Sequence, residues 1–180
     1  FKLDDKALAR QLADAAVARF HGADAYGWSA RLALDSGDKA AAGATYAGSL
    51  RRQPGSLRLR GGYAALLADQ GDNAAAARVL AAGDQDDTTY AARAAYAARA
   101  EDLEVLRKLY REVQSDTGAR SGKRQYLLGQ IAEMIDRREE ALGWYRGITT
   151  DDEHWFDAQM RASVVLGELG RTDDAIMQLH

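Results

Sequence analysis

The most constraining feature of this sequence is a turn signature that returns every 34 residues. Gly37-Asp38 and Gly71-Asp72 are 34 residues apart, and so are Asp136-Arg137 and Gly170-Arg171. Each turn lies between two segments whose apolar residues recur at helical spacing. A glycine or polar residue that ends one helix, beside a polar residue that caps the next, is typical of a tight turn between helices. The period therefore predicts a repeated helical hairpin.

The 65 residues between Gly71 and Asp136 leave room for one further, slightly shortened hairpin. We assign its turn to Glu101-Asp102, which gives five hairpins in all. A leading helix precedes them, and we expect Gly22 to end it. Its apolar residues share one helical face, and they are Leu8, Leu12, Ala15, Ala16 and Phe20.

The spacing predicts the bounds of every helix. First helices of the hairpins are predicted at residues 24–36, 56–69, 87–99, 122–135 and 152–168. Second helices are predicted at 39–52, 73–82, 102–114, 138–147 and 172–179, and the leading helix near 5–20. In terms of repeats, residues 1–22 form an orphan second helix, followed by repeats over 23–56, 57–86 (shortened), 87–121 (divergent), 122–155 and 156–180 (truncated).

Composition agrees with an all-helical chain. A single proline and 47% hydrophobic residues, mostly alanine and leucine, favour helices over strands. The absence of cysteine excludes disulfides, thiolate metal sites and a cysteine nucleophile, and it suits cytosol or periplasm alike. No apolar run approaches the roughly 20 residues that a bilayer crossing needs. The 24 basic and 27 acidic residues are interspersed, which argues against a nucleic-acid partner.

The hairpins resemble tetratricopeptide repeats. In the first, the family's aromatic, small, turn, alanine, second aromatic and closing proline positions hold Tyr26 or Trp28, Ala30, Gly37, Ala42, Tyr46 and Pro54. The second keeps Ala64, Leu67, Gly71, Ala76 and Leu80, and the divergent third keeps Tyr90, Ala94, Leu106 and Tyr110. The fourth has Leu128, Gly129, Ala141 and Tyr145, and the fifth has Ala162, Ser163, Gly170, Ala175 and Leu179. The resemblance implies an all-α, right-handed α-solenoid whose small residues let neighbouring helices approach closely.

A second resemblance concerns the stretch from Tyr126 to Leu179. Its segments Tyr126–Gln130, Glu140–Tyr145 and Ala158–Arg161 are similar to a group of Gram-negative tetratricopeptide lipoproteins. The resemblance implies a periplasmic adaptor tethered to the outer membrane, of the kind that delivers substrates to a carboxyl-terminal processing protease. The lipidated cysteine that would support this comparison is absent, although an N-terminal truncation would remove it, and a cytoplasmic location is the alternative.

Catalytic and metal-binding patterns are missing. His21, His154 and His180 have no second ligand at metal spacing. Asp84, Asp86 and Asp87 resemble the start of a calcium loop, but Ala95 stands where that loop requires an acid, so a helix cap is expected instead. A basic cluster around Pro54 is interpreted as a solvated rim, and it consists of Arg51, Arg52, Arg58 and Arg60. The sequence therefore predicts no enzyme, no metal and no cofactor.

The resemblance implies that first helices line a concave groove. The groove residues expected to contact a partner are Arg31, Asp35, Arg58, Asp69, Thr88, Arg99, Lys123, Tyr126, Gln130, Glu133, Met134, Asp157, Met160 and Glu168. Tyr126, Met134 and Met160 are interpreted as anchors; alternatively, they pack inside the solenoid. The clamp that grips chaperone carboxylate ends is excluded, because its lysine and asparagine positions hold Gly27, Arg31, Gly61 and Ala65.

Two functions follow as hypotheses. The first is a protein–protein interaction scaffold or adaptor that binds a partner peptide or protein in the groove. The alternative is a self-assembly module whose ends mediate oligomerisation. Both ends carry apolar residues without a helical partner in the sequence, so we expect further repeats on both sides, or packing of the terminal helices against another chain. That packing is expected to use Leu8, Leu12, Phe20, Ile176 and Leu179.

Overall fold

The computed structural model describes residues 6–116 and 121–178, with side chains from residue 8 onward. Over these residues the chain forms eleven α-helices and no strand. The helices are α1 (Lys6–Phe20), α2 (Ala23–Asp35), α3 (Lys39–Arg52), α4 (Leu57–Asp69), α5 (Asn73–Ala81), α6 (Asp87–Arg99), α7 (Leu103–Ser115), α8 (Gly122–Met134), α9 (Arg138–Arg146), α10 (Trp155–Glu168) and α11 (Thr172–Gln178). The prediction of an all-α fold is confirmed.

The predicted helix bounds agree closely with the structure, with one larger difference at the start of α10. That helix was expected from residue 152 but begins at Trp155. The Asp152 carboxylate accepts hydrogen bonds from the backbone N–H groups of His154 and Gly122. These bonds hold residues 149–154 as a turn, which delays the helix by three residues. Leu179, expected in the last helix, lies outside the described residues.

All five predicted hairpin turns contain a residue with positive φ. The angle is 80° at Gly37, 86° at Gly71, 53° at Glu101, 61° at Asp136 and 74° at Gly170. In three turns the next residue caps the following helix, since the carboxylates of Asp38, Asp72 and Asp102 accept from backbone N–H groups three residues on. The predicted turns are therefore confirmed at all five positions and the predicted caps at three of them, whereas Arg137 makes no side-chain cap.

The end of α1 differs from the prediction. His21, with φ at 48°, takes the left-handed position after the helix, and its N–H donates to the Val17 carbonyl. Gly22 has an ordinary φ of −87° and instead precedes α2. The expectation that Gly22 ends the helix is therefore wrong, because a histidine occupies the strained position. On α1, Ala9 and Ala13 are buried, and Leu8, Leu12 and Phe20 are exposed.

The chain divides into two compact units, Phe1–Gln85 and Asp86–His180. Unit 1 packs α2 against α3 and α4 against α5, and α3 contacts α4. Tyr46 of α3 is inserted against Gly62 of α4, where an added Cβ would lie 2.7 Å from the tyrosine hydroxyl oxygen. A glycine is needed at this position because the two helices approach so closely.

One expectation in unit 1 is wrong. Arg60, interpreted as part of a solvated basic rim, is buried with 8% of its surface exposed. Its guanidinium donates to the Val79 carbonyl at 3.0 Å and to the Pro54 carbonyl. The side chain therefore satisfies backbone acceptors at the end of α5 and in the turn before α4.

Unit 2 has a larger apolar core in which α8 packs against α7 and α9, and α10 against α9 and α11. Tyr110 and Tyr145, which match aromatic positions of the repeat pattern, are fully buried. Buried ion pairs join α6 to α7 and α8, because Arg93 binds Glu112 through two bonds of 2.7 and 2.9 Å, and Arg124 binds Asp87 at 2.7 Å.

Candidate functional site

A cleft between α2 and α4 of unit 1 is the candidate site, because it gathers the contact residues predicted in this unit. It has a volume of about 480 Å³ and is lined by all four contact residues predicted in this unit, Arg31, Asp35, Arg58 and Asp69. The cleft lies between the two helices, and small residues in its lining leave it open. These residues are Gly27, Gly62 and Ala65. The sequence prediction thus brought together residues that the fold places around one concave surface.

Ion pairs fix the charged side chains at the two ends of this cleft. Arg58 pairs with Asp24 across the first turns of α4 and α2. Asp69 pairs with Lys39 at 2.6 Å at the opposite end. Both pairs are exposed, so each contributes little to stability, on the order of 0–1 kcal/mol. These pairs compensate the charges of Arg58 and Asp69 at the ends of the cleft, so the charges in its middle come from other residues.

The middle of the cleft contains two charged groups without an ion pair. Arg31 and Asp35 are four residues apart on α2, a spacing at which opposite charges usually meet. Within the described residues neither forms an ion pair or a hydrogen bond, and both are exposed. Each side chain therefore keeps its charge available to an incoming group.

Tyr46 lies beneath these charges and was assigned by the sequence only to packing. Its side chain is buried, with 8% of the residue exposed, and it lines the cleft. Its hydroxyl has no hydrogen-bond partner among the described residues, and its oxygen reaches the surface of the cleft although the rest of the residue is buried. Burial raises the pKa of Tyr46, while the nearby guanidinium groups of Arg31 and Arg58 oppose that rise.

The α8–α10 face of unit 2 holds most of the other predicted contact residues. Tyr126 is half-buried, with its ring centroid 5.6 Å from that of Tyr145 and 5.9 Å from that of His154. Burial raises the pKa of Tyr126, and the Asp157 carboxylate adds to that rise. Tyr126 is therefore partly packed within the fold and partly exposed. It lies between the two interpretations, an anchor for a partner and a side chain packed inside the solenoid.

Glu133 on this face is committed to internal contacts. Its carboxylate accepts from the hydroxyl of Tyr145 and from the guanidinium of Arg161, so it joins α8, α9 and α10. Burial and this hydrogen bond raise the pKa of Tyr145. A partner at this face would meet a charge that is already compensated.

An exposed apolar stripe runs along α10 beside that ion pair. Met160, predicted as an anchor, is 44% exposed, and Phe156 and Val164 lie one turn before and after it at 66% and 47%. The sequence analysis missed Phe156 and Val164, although the four-residue spacing on one helix was the signal that identifies them. Met134, the other predicted methionine, is 41% exposed on α8.

Of the remaining predicted contact residues, Gln130 is half-buried, and Thr88, Arg99, Lys123, Asp157 and Glu168 are exposed. Lys123 donates to the Thr88 hydroxyl at 3.3 Å, and the Arg99 guanidinium lies 5.8 Å from the centre of the Tyr96 ring. Glu168 accepts from Arg138 at 3.0 Å. This last pair joins α10 to α9 in the same way that Asp69 and Lys39 join α4 to α3.

Asp86 and His154, which the sequence analysis considered as metal ligands, make local structural contacts. The Asp86 carboxylate accepts from the backbone N–H of Thr89 at 2.6 Å and caps α6, as expected of a helix cap. His154 lies 3.1 Å from the Asp152 carboxylate. Across residues 6–116 and 121–178, no group of three or more metal-ligating side chains comes together. None of the helices in these ranges combines the length and apolar character that a membrane crossing requires.

Comparison with known proteins identifies the fold. No protein-family model matches the sequence, and no curated protein is a significant sequence match. Among solved structures, the fold is similar to that of a MamA protein, with a TM-score of 0.62, 14% identity and coverage of 86% of each chain. It is also similar to YrrB, a TPR protein with an unusual peptide-binding site, with a TM-score of 0.60, 16% identity and coverage of 95% of this chain and 90% of that one.

A third similar structure is a tetratricopeptide repeat protein from Parabacteroides merdae, with a TM-score of 0.60, 9% identity and coverage of 97% of this chain and 71% of that one. At these identities the likeness establishes the fold. The chain has the tetratricopeptide-like α-solenoid fold that its sequence predicted.

Proposed function

We propose that this chain is a non-enzymatic protein–protein interaction scaffold or adaptor, whose first-helix surfaces bind a partner peptide or protein. The observation that carries the proposal is the α2–α4 cleft, where small residues leave the surface open and Arg31 and Asp35 stand without ion pairs. Open clefts bordered by a few unpaired polar groups are typical of sites that recognise a ligand. The peptide-binding site of YrrB supports a peptide as the partner of this fold.

The partner is a protein rather than a nucleic acid in this proposal. Acidic and basic side chains alternate around the cleft, whereas a phosphate backbone requires a continuous basic surface. The contact residues on the α8–α10 face belong to the same proposal, and Phe156, Met160 and Val164 supply its apolar area. Exposed methionine and aromatic side chains are common anchors at such interfaces.

The test is a selection of peptides from a random 12-residue display library on the purified chain. Dissociation constants of enriched peptides are then measured for the wild type and for a variant that combines Arg31→Glu with Asp35→Lys. The matched control is Arg78→Glu, an exposed arginine on α5, outside the cleft. We expect the cleft variant to weaken binding at least about tenfold, the effect of losing one strong charged contact.

A library that yields no peptide above background would contradict the proposal. So would peptides whose binding responds equally to the cleft variant and to the control. Circular dichroism of each variant shows that a loss of binding is not a loss of helix.

Self-assembly is the second candidate function, favoured by the exposed apolar residues on the terminal helices. Leu12 and Phe20 of α1 are 56% and 70% exposed, and Ile176 and Met177 of α11 are 54% and 67% exposed. Clusters of exposed apolar side chains are frequent where chains associate. Light scattering across a hundredfold range of concentration tests it: a mass that rises with concentration, and falls again in a Phe20→Ser, Ile176→Ser variant, supports it. A constant monomer mass excludes it.

A further inference from the structure

The middle of the α2–α4 cleft places a positive and a negative site next to each other. Arg31 and Asp35 lie one helical turn apart on α2, so their positions differ by about 6 Å along the helix axis. Neither is compensated by another side chain of the described residues, in contrast with Arg58 and Asp69, whose charges are paired with Asp24 and Lys39. An uncompensated charge in a concave surface is the part of that surface that selects a ligand by its charge.

The hydroxyl of Tyr46 adds a hydrogen-bond donor to the positive site. It is held in place from below, since the ring packs against Gly62 and stacks on Tyr63 with centroids 6.0 Å apart. It has no acceptor among the described residues, and its oxygen is accessible from the cleft although only 8% of the residue is exposed. An acceptor supplied by a ligand would satisfy it, and a carboxylate oxygen also suits the adjacent guanidinium of Arg31.

We propose that this cleft recognises a pair of opposite charges on a partner peptide, with an acidic side chain at Arg31 and the Tyr46 hydroxyl and a basic side chain at Asp35. This inference rests on the proposed function and names the chemistry of its ligand. In an extended peptide, side chains on one face are two residues and about 6.6 Å apart, which matches the separation of the two sites. The recognised element is therefore an acidic and a basic residue separated by one residue.

The probes are three capped peptides of seven residues with an alanine and serine background. One contains Glu-Ala-Lys, the second Gln-Ala-Lys and the third Lys-Ala-Lys. Binding is followed by NMR, from the backbone amides of α2 and α4 and the side-chain Nε–Hε group of Arg31. We expect saturable shifts with Glu-Ala-Lys and an affinity about threefold to tenfold lower for Gln-Ala-Lys, the range expected for one partly exposed charged contact.

Three variants test the assignment of residues. Arg31→Gln and Tyr46→Phe should each reduce the affinity for Glu-Ala-Lys toward that of Gln-Ala-Lys. Arg31→Glu should reverse the preference, so that Lys-Ala-Lys binds more tightly than Glu-Ala-Lys. This gain cannot arise from misfolding, and it does not depend on the direction in which the peptide lies. Arg78→Glu, outside the cleft, should leave all three affinities unchanged.

Equal affinities for Glu-Ala-Lys and Gln-Ala-Lys, or no reversal in Arg31→Glu, would overturn the inference. Its failure is distinguishable from failure of the proposed function. If library peptides bind the cleft without a preference for the charge pair, the scaffold function stands and this inference is wrong. If neither library peptides nor Glu-Ala-Lys bind, both are wrong.

Discussion

The contact between Gly129 and Tyr145 sets the distance between α8 and α9. The tyrosine ring is fully buried and occupies the space into which a Cβ on residue 129 would project. Gly129→Ala should therefore displace the ring or separate the helices. We expect the free energy of unfolding to fall by about 1–3 kcal/mol, the usual cost of an overpacked core, as measured by urea denaturation.

The matched control is Gly143→Ala in the same hairpin. This glycine is inside α9, and an added Cβ would meet no atom within 4 Å. Alanine is the better helix former, so this variant should gain roughly 0.5–1 kcal/mol of stability. A loss of stability in both Gly129→Ala and Gly143→Ala would contradict the prediction, because only residue 129 lacks space for a Cβ atom.

The buried tyrosines differ in whether their hydroxyls are bonded. Tyr110 donates to the Glu140 carboxylate at 2.8 Å and accepts from the indole N–H of Trp144 at 2.8 Å. Removing the hydroxyl in Tyr110→Phe takes a partner from both groups and should cost about 1–2 kcal/mol.

Tyr46→Phe is the comparison. Its hydroxyl has no hydrogen bond among the described residues, so phenylalanine should change the free energy of unfolding by less than about 0.5 kcal/mol or raise it slightly. Thermal and urea denaturation of the two variants side by side measure the difference. Equal destabilisation would show that the Tyr46 hydroxyl is already satisfied in the free protein, which would also weaken its role in the cleft.

Helix α6 depends on a single capping carboxylate. Hydrogen bonds from the backbone N–H and side chain of Thr89 lower the pKa of Asp86 below its ordinary value. A carboxyl group with a lowered pKa stabilises the folded state above its unfolded pKa of about 3.9, and this contribution is lost as the pH falls through the folded pKa. At neutral pH, Asp86→Ala should cost about 1 kcal/mol.

The stability difference between the wild type and Asp86→Ala should be constant from about pH 5 upward and should shrink as the pH falls below about 4. Asp84→Ala, in the same loop but without a capping contact, is the matched control. Urea denaturation at a series of pH values measures both. A difference that persists unchanged at the lowest pH would show that residue 86 acts through something other than its charge.

The elements of this fold could be predicted because their signal is repeated. Each hairpin has one turn with a left-handed residue, and the spacing of those turns fixed the register of ten helices to within three residues. The two errors at helix ends, His21 at the end of α1 and the late start of α10, depend on particular local hydrogen bonds. A periodic pattern contains no information about the bond from the His21 N–H to the Val17 carbonyl or about the bonds that the Asp152 carboxylate accepts.

The candidate site was predictable in outline for a different reason. Helical geometry places Arg31 and Asp35 on the exposed side of α2 once the buried positions are known, so both could be named from the sequence. The position of the Tyr46 hydroxyl and the burial of Arg60 could not, because the first depends on how closely Gly62 of α4 approaches α3 and the second on where α5 ends. Tyr46 fits the packing pattern of its repeat, so the sequence assigned it to packing alone and gave no sign of its hydroxyl in the cleft.

On the scale of the whole molecule, the two units differ in how much apolar surface they bury. The buried leucines of unit 1 are Leu59, Leu66 and Leu80, and its other buried apolar residues are alanines and tyrosines. The core of unit 2 is larger, and its buried leucines and isoleucines are Leu106, Leu109, Leu127, Leu128, Ile131, Ile135, Leu142, Ile148 and Leu166. Burial of each such side chain contributes roughly 1.5–3 kcal/mol, so unit 2 should be the more stable unit.

This difference predicts how the molecule opens. In repeat folds, helices can open in parts, and hydrogen exchange reports the free energy of each opening. Amides in the middle of α2 and α4, which form the cleft, should exchange through openings of lower free energy than amides in the middle of α7 and α8. Hydrogen-exchange mass spectrometry under native conditions measures this ordering. A peptide bound in the cleft should slow exchange in α2 and α4, since a ligand stabilises the state that binds it. Equal or greater protection of α2 and α4 in the free protein would contradict the ordering and would show that the smaller core of unit 1 is compensated by contacts other than apolar burial.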